Sequence, residues 1–349
     1  MTPDVTVVAP ADVDAPTGGN IYDRRVSAAL SELGWHVSVR GVAGAWPMAG
    51  EAGQRALTEL LTGLPDGTVV LGDGLVLGGL PDVVVPHAER LRLIALVHLP
   101  LADEIGLDPQ EGQRRREAEA RILAACRAVV VTGAWTVGRV CALGVPPDRV
   151  HLVEPGTDPA PRAPGTPDGG SVLCLAAVVP RKGQLLLVEA LAGLVDLPWR
   201  CRIVGPLDRH PAYVERVLDA VQRYRLAGRV EVCGPLDGPR LDDAWTSTDL
   251  LVLPSYGETF GMVLAEALAR GVPVVTTTGS GAERTAADAG LLVPPGDVQA
   301  LRAAIAQWLS QPALRADLAS RAGAAGRALP GWEVSARRLA DVLETVRAQ

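Results

Sequence analysis

Two glutamates, Glu258 and Glu266, are separated by seven residues in the stretch YGETFGMVLAEAL (256–268), which passes from small, flexible residues to a helix-forming run. The spacing predicts a helix that begins near Gly261, with Glu258 in the loop before it and Glu266 inside it. The free N–H groups of Phe260, Gly261, Met262 and Val263 at such a helix end attract anions, a diphosphate among them. A carboxylate at Glu258 would repel phosphate unless it meets neutral hydroxyls, and sugar or ribose hydroxyls are its natural partners. The competing account is that Glu258 merely complements the helix dipole, and spacing alone leaves both open. Of 33 Lys and Arg residues one is a lysine, Lys182, in PRKGQ. Either chemistry there needs a compact point charge that arginine does not replace, or the lysine has survived by chance. His98 closes the apolar run LIALVH, where a histidine either touches substrate or serves the fold.

Other chemistries find less support. The five histidines lack metal-ligand spacing, and a DxD pattern occurs only as DVD (12–14), so no metal is implied. GSGAER (279–284) has Arg284 at the third glycine position of a dinucleotide fingerprint, and GDGLVLGG (72–79) has the wrong spacing. No GxSxG elbow is present. No cofactor is expected. The five cysteines are scattered without a CxxC pair, as fits free thiols in a reducing cytoplasm.

These residues need a frame to hold them. Short apolar runs alternate with helical stretches along all 349 residues. The runs at 5–10, 36–41, 68–72, 93–98, 128–133 and 149–156 read as strands, and so do those at 171–178, 200–205, 229–234, 249–255, 272–277 and 290–296. They are apolar throughout instead of alternating, as strands buried on both faces of a parallel sheet require. A first helix is expected over 18–34, closed by Gly34. DPAPRAPGTPDGG (158–170) interrupts the pattern and reads as a linker. The expected architecture is α/β, with an N-terminal Rossmann-like domain over 1–157 and a second over 171–330. A C-terminal helix over 331–349 crosses back to the first domain. Ligands bind at the carboxyl ends of the strands in such sheets, which puts the site in the cleft between two facing domains.

Net charge is −7, which argues against nucleic acid as a partner. MTPDVTVVAP lacks the basic head and apolar run of a signal peptide, and the apolar stretch 69–86 is broken by Asp73 and Asp82, so no membrane span is expected. A cytoplasmic location follows. The run RRRE places Arg114, Arg115 and Arg116 on one helix, either as a solvated face or as a contact with lipid headgroups.

The E-x7-E motif of Glu258 and Glu266, within PSYGETFGMVLAEALARGVPVV, resembles that of the retaining glycosyltransferases of family 4, which have the GT-B fold. Other pieces resemble the family in the same order: APTGGN (15–20), ALVHLP (95–100), VEPGTD (153–158), AAVVPRKG (176–183), TGSGAERTA (278–286) and GLLVPPGD (290–297). The resemblance spans almost the whole chain. It implies that Glu266 holds the ribose hydroxyls of a nucleotide sugar and that Glu258 meets the transferred sugar near its 3- and 4-hydroxyls. Phe260, Gly261 and Met262 would give N–H groups to the sugar and diphosphate, with Val263 in the same helix end. Lys182 would neutralise the leaving diphosphate. The family has an arginine where this chain has Ala177, so either Arg181 bends in, or the helix end carries more charge, or the site is weaker. Gly18 and Gly19 would allow close approach to the phosphates, and His98 would face the sugar 6-hydroxyl or the acceptor. Backbone around Cys233 and Gly234 would hold the base.

The implied activity is retaining, metal-independent transfer of a hexose from a nucleotide-diphosphate sugar, with a UDP sugar as the prior. Loops 9–23 and 99–112 carry Asp12, Asp14, Asp23, Asp103, Glu104, Asp108 and Glu111; up to Asp23 and Glu111 neither has a lysine or arginine. If they line the site, the acceptor is a neutral or amine-bearing small molecule; otherwise they are solvated. A lipid or cell-envelope glycan acceptor is the alternative. A nucleotide-sugar-binding protein without activity is the alternative of another class.

Overall fold

The computed structural model describes residues 3–12 and 17–349. Six parallel strands build the first sheet: β1 (Asp4–Pro10), β2 (His36–Val42), β3 (Val69–Asp73), β4 (Arg92–Val97), β5 (Ala128–Val131) and β6 (Val150–Leu152), in the order β2-β1-β3-β4-β5-β6. Six more build the second: β7 (Ser171–Leu175), β8 (Arg200–Val204), β9 (Val230–Cys233), β10 (Leu250–Leu253), β11 (Val274–Thr277) and β12 (Gly290–Val293). Their order is β12-β11-β10-β7-β8-β9, again parallel.

Strands form at these runs because alternate residues serve opposite faces. In β10, Leu250 and Val252 enter the core that holds Leu187 and Ile305, while Leu251 and Leu253 enter the one that holds Leu264 and Leu268. β7 divides in the same way, with Val172 and Cys174 on one face and Leu173 on the other. Full burial of each such valine or leucine stabilises the fold by roughly 1.5–3 kcal/mol, so both faces favour apolar residues.

The chain divides into two compact units, 1–156 with 330–349, and 157–329. Within the first, Tyr22 of the opening helix Gly18–Glu32 meets Trp332 of the closing helix Trp332–Ala348 edge-on, with ring centroids 5.8 Å apart. The Tyr22 hydroxyl donates to the Val153 carbonyl (2.9 Å), and Ser335 Oγ donates to the Glu154 carbonyl (2.6 Å). The closing helix is thereby fixed to the first unit.

Residues 158–170 contain no helix or strand, yet they are tied to the second unit. The Thr166 N–H and hydroxyl both donate to the Asp249 carboxylate, and the Ala163 N–H donates to the Arg270 carbonyl. Their proline content accounts for the lack of regular structure and does not deprive them of partners. Gly18 and Gly19 form the first turn of the expected helix, with the Thr17 hydroxyl accepting from the Asn20 N–H. Val13 and Asp14 of DVD, and Ala15 and Pro16 of APTGGN, lie outside the described residues. Among those described, no helix is long and apolar enough to cross a membrane.

Candidate functional site

In the second unit the residues singled out from sequence gather beyond the carboxyl ends of β7, β9 and β10. The turn Pro180–Lys182 follows β7, and the loop Pro254–Gly261 follows β10. Two backbone features join them. Gly183 takes φ +70°, where an added Cβ would stand 2.2 Å from the Pro254 carbonyl oxygen, so only glycine lets the turn lie against the loop. The Tyr256 N–H then donates to the Arg181 carbonyl at 2.8 Å.

The side chains complete the clasp. Lys182 Nζ donates to Glu258 Oε1 at 2.5 Å, and Arg181 Nη1 lies 3.8 Å from the same oxygen while donating to the Gly257 carbonyl at 3.0 Å. Arg181 thus turns its guanidinium toward Glu258. Ala177, where the family's arginine would stand, gives its carbonyl to Gln184 Nε2 at 2.9 Å. Burial works against the Glu258 carboxylate, but Lys182 and Arg181 outweigh it and hold its pKa below the ordinary value. Burial pulls the Lys182 pKa down, with Arg181 adding to the pull and Glu258 opposing it.

The helix after the loop runs Met262–Ala269, and Gly261 before it takes φ +82°. Helix geometry leaves the N–H groups of Met262 and Val263 without intrahelical partners. The loop is braced from behind by TGSGAERTA: the Gly281 N–H donates to the Glu258 carbonyl (2.8 Å), and Thr285 Oγ1 donates to the Phe260 carbonyl (2.5 Å). Glu266 lies in the second turn of that helix. Burial raises its pKa to about 7, Arg270 opposing and Asp158 adding to the rise. Cys233 ends β9, and Gly234 follows it with open space where a Cβ would be. The structure therefore brings Arg181, Lys182 and Glu258 into contact, with the helix start beside them and Cys233 and Gly234 on the same sheet edge.

The first unit carries a second cluster. His98 follows β4 and donates or accepts through Nε2 to Asp23 Oδ1 at 2.9 Å, with Asp23 only 4% exposed. Gly19 lies beneath the ring, where an added Cβ would be 3.2 Å from His98 Cδ2. Asp73, the last residue of β3, lies behind the pair and accepts from the Leu75 N–H at 2.8 Å. Sequence reading found His98 and Gly19 but not this use of Asp23 and Asp73. The available signal was an acid closing the apolar run TVVLGD.

The acidic loops are largely committed within the fold. Asp103 pairs with Arg139 (2.8 Å), Asp108 caps the helix Pro109–Ala125 by accepting from the Gln110 and Glu111 N–H groups, and Glu111 holds both Arg114 and Arg115. The same Glu111 contacts take up two charges of the RRRE run; Arg116 is exposed.

The family described as Glycosyl transferases group 1 matches residues 162–325. A D-inositol 3-phosphate glycosyltransferase of Xylanimonas cellulosilytica is 30% identical over 255 residues, which cover 67% of this chain and 61% of that protein. D-inositol 3-phosphate glycosyltransferase 1 of Catenulispora acidiphila is 30% identical over 292 residues, covering 76% of this chain and 69% of the relative. The chain thus spans less than two thirds of the Xylanimonas protein's length. Among solved structures, sucrose-phosphate synthase from Thermosynechococcus elongatus superposes with a TM-score of 0.82 at 23% identity, covering 99% of each chain. Anabaena Alr3699/HepE in complex with UDP-glucose gives 0.79 at 17% identity, covering 98% of this chain and 99% of the other. Those two share its two-domain α/β fold, and on the sequence matches the chain belongs to the glycosyl transferases group 1.

Proposed function

We propose that the protein is a retaining glycosyltransferase that moves a hexose from a nucleotide-diphosphate sugar, without a metal ion, to a small acceptor. The observation that carries this reading is the clasp of Arg181, Lys182 and Glu258 at the start of the helix Met262–Ala269. Two cations and a helix end supply the charge that a departing diphosphate needs, and Glu258 supplies a hydroxyl acceptor for the sugar. With no carboxylate required behind the anomeric carbon, displacement proceeds on one face, and the leaving phosphate takes the acceptor's proton. Activity is expected to persist in excess chelator; strict dependence on a divalent ion would contradict the reading.

A uridine nucleotide is the proposed donor, consistent with the Anabaena structure solved with UDP-glucose. Glu266 is assigned to the ribose. Hydroxyl donors favour an ionised carboxylate, whereas the free protein holds Glu266 protonated below about pH 7. Affinity for UDP-glucose, whose diphosphate does not titrate in this range, should be greatest above pH 7. It should fall with decreasing pH by up to about tenfold per unit. Glu266→Gln should bind weakly with a flat profile. Calorimetry between pH 6 and 8 decides, and a pH-independent wild type would remove Glu266 from the ribose.

The acceptor is proposed to be neutral or amine-bearing, on the absence of lysine and arginine from positions 9–23 and 99–112. The charge of Asp103, Asp108 and Glu111 no longer supports this, since the fold uses it. A second reading, a phosphorylated cyclitol, is favoured by a cavity of about 190 Å³ lined by Arg116, Arg139 and Pro100, among others, and by the acceptor named in the relatives. Transfer to neutral, aminated and phosphorylated cyclitols at low and high salt separates the two. Preference for the phosphorylated acceptor, weakened by salt and by Arg116→Ala, would select the second.

A further inference from the structure

The cluster around His98 has more polar groups than a structural histidine needs. The ring stands edge-on to Tyr22 with centroids 5.3 Å apart, rests over Gly19, and bonds Asp23 through Nε2. Asp23 is buried, and its second oxygen, Oδ2, has no partner among the described residues. Asp73 is 3% exposed, and one polar atom from each of Asp23, Asp73 and His98 falls within 4.8 Å of the others. The His98 side chain is 20% exposed, and no described residue partners Nδ1. One nitrogen is thus anchored and the other is left to meet a ligand.

We propose that Asp23 is the positioning residue of the transferase: it accepts from Nε2–H and, with Asp73 behind it, holds His98 as a doubly protonated donor whose Nδ1–H meets the sugar or acceptor. His98 is then a hydrogen-bond donor and not the base that takes the acceptor's proton. This inference rests on the glycosyltransferase reading for its catalytic consequence, but its electrostatic content stands in the protein alone.

The titratable groups that face the ring are Tyr22 and Asp23 of the opening helix and Asp73 of β3. Burial by itself would lower the His98 pKa, but the charge and hydrogen bond of Asp23, followed by the charge of Asp73, raise it to about 9. Burial and Asp23 raise Asp73 to about 7, with His98 and the Leu75 N–H opposing. Burial, then Asp23, raises Tyr22 so that it stays neutral. The imidazolium persists through neutral pH and is lost as pH rises through about 9.

The test follows His98 by NMR in the ligand-free protein, with its ring signals assigned by comparison with His98→Gln. Turnover is measured against pH in parallel. Wild-type His98 should titrate near pH 9, and Asp23→Asn should move it at least one unit toward the ordinary value near 6.5. The alkaline limb of kcat should move with it, and turnover at pH 8 should fall about twofold for a shift of one unit and about tenfold for a shift of two, as the protonated fraction of His98 falls. A purely structural Asp23 would change thermal stability without moving the limb. Wild-type titration near 6.5, an unmoved limb in Asp23→Asn, or stoichiometric divalent-cation binding abolished by Asp23→Asn would each overturn the proposal. If Asp23→Asn does not fold, the wild-type titration and Asp73→Asn, expected to shift His98 less in the same direction, decide it. Inactivity toward every nucleotide sugar with the titration as described would instead count against the transferase reading.

Discussion

Lys182→Ala is expected to lower turnover by roughly 10²–10³-fold, the scale for one preorganised group facing developing charge. The structure shows why the loss is not confined to that charge. Lys182 Nζ is bonded to Glu258 at 2.5 Å, so its removal also releases the carboxylate assigned to the sugar. Arg181, 3.8 Å from the same oxygen, remains as a partner. Breaking a buried pair costs roughly 3–5 kcal/mol when the remaining charge is left alone; with Arg181 present the loss of stability should fall below that range. Glu258→Ala should slow turnover to a similar extent, because Lys182, already depressed by burial, would lose the carboxylate that keeps it charged. The two losses share one cause. The double variant should therefore be no more than a few-fold slower than the slower single variant. Initial rates with a UDP sugar test all three. Multiplicative losses would mean that the residues act separately, and a Lys182→Ala enzyme within a few-fold of wild type would mean that Arg181 and the helix end suffice.

The sequence was legible where a residue's environment depends on its near neighbours. Runs such as LLVL in β10 signal a strand because both faces of the sheet demand apolar side chains, whichever helices cover them. Gly261 marked the helix start, and Lys182 stood out as the single lysine. What stayed hidden depends on partners distant in the chain. Asp103 looked like free loop charge because Arg139 lies 36 positions away, and Asp23 looked like a surface acid because His98 lies 75 away. Asp73 was visible only as a break in an apolar run, although closing β3 beside β4 is what brings it to the histidine. The linker composition of 158–170 was read correctly as irregular, but its tie to Asp249 depends on a contact 83 positions along.

Gly281→Ala should reduce kcat/KM by about 10²-fold with no charged or polar side chain altered. An added Cβ would lie 1.8 Å from the Thr259 carbonyl oxygen and 2.4 Å from its carbon. Both are backbone atoms, so no side chain can rotate away, and the loop itself must shift by about an ångström or more. That loop carries Glu258 on one side of Thr259 and Phe260 on the other, and Gly281 and Thr285 bond to the carbonyls of both. The shift therefore moves the Glu258 carboxylate, proposed to meet the sugar, and the helix start together, and a misplacement of about 1 Å costs on the order of 10²-fold. Overpacking should cost about 1–3 kcal/mol of stability, which leaves a folded protein to assay. Gly257→Ala supplies the comparison, since it lies in the same loop with nothing within 4 Å of its Cβ, and it should stay within a few-fold of wild type. Equal losses in the two variants would show that the loop merely disfavours alanine. Wild-type kinetics in Gly281→Ala would show that the position of the Thr259 backbone does not control the site.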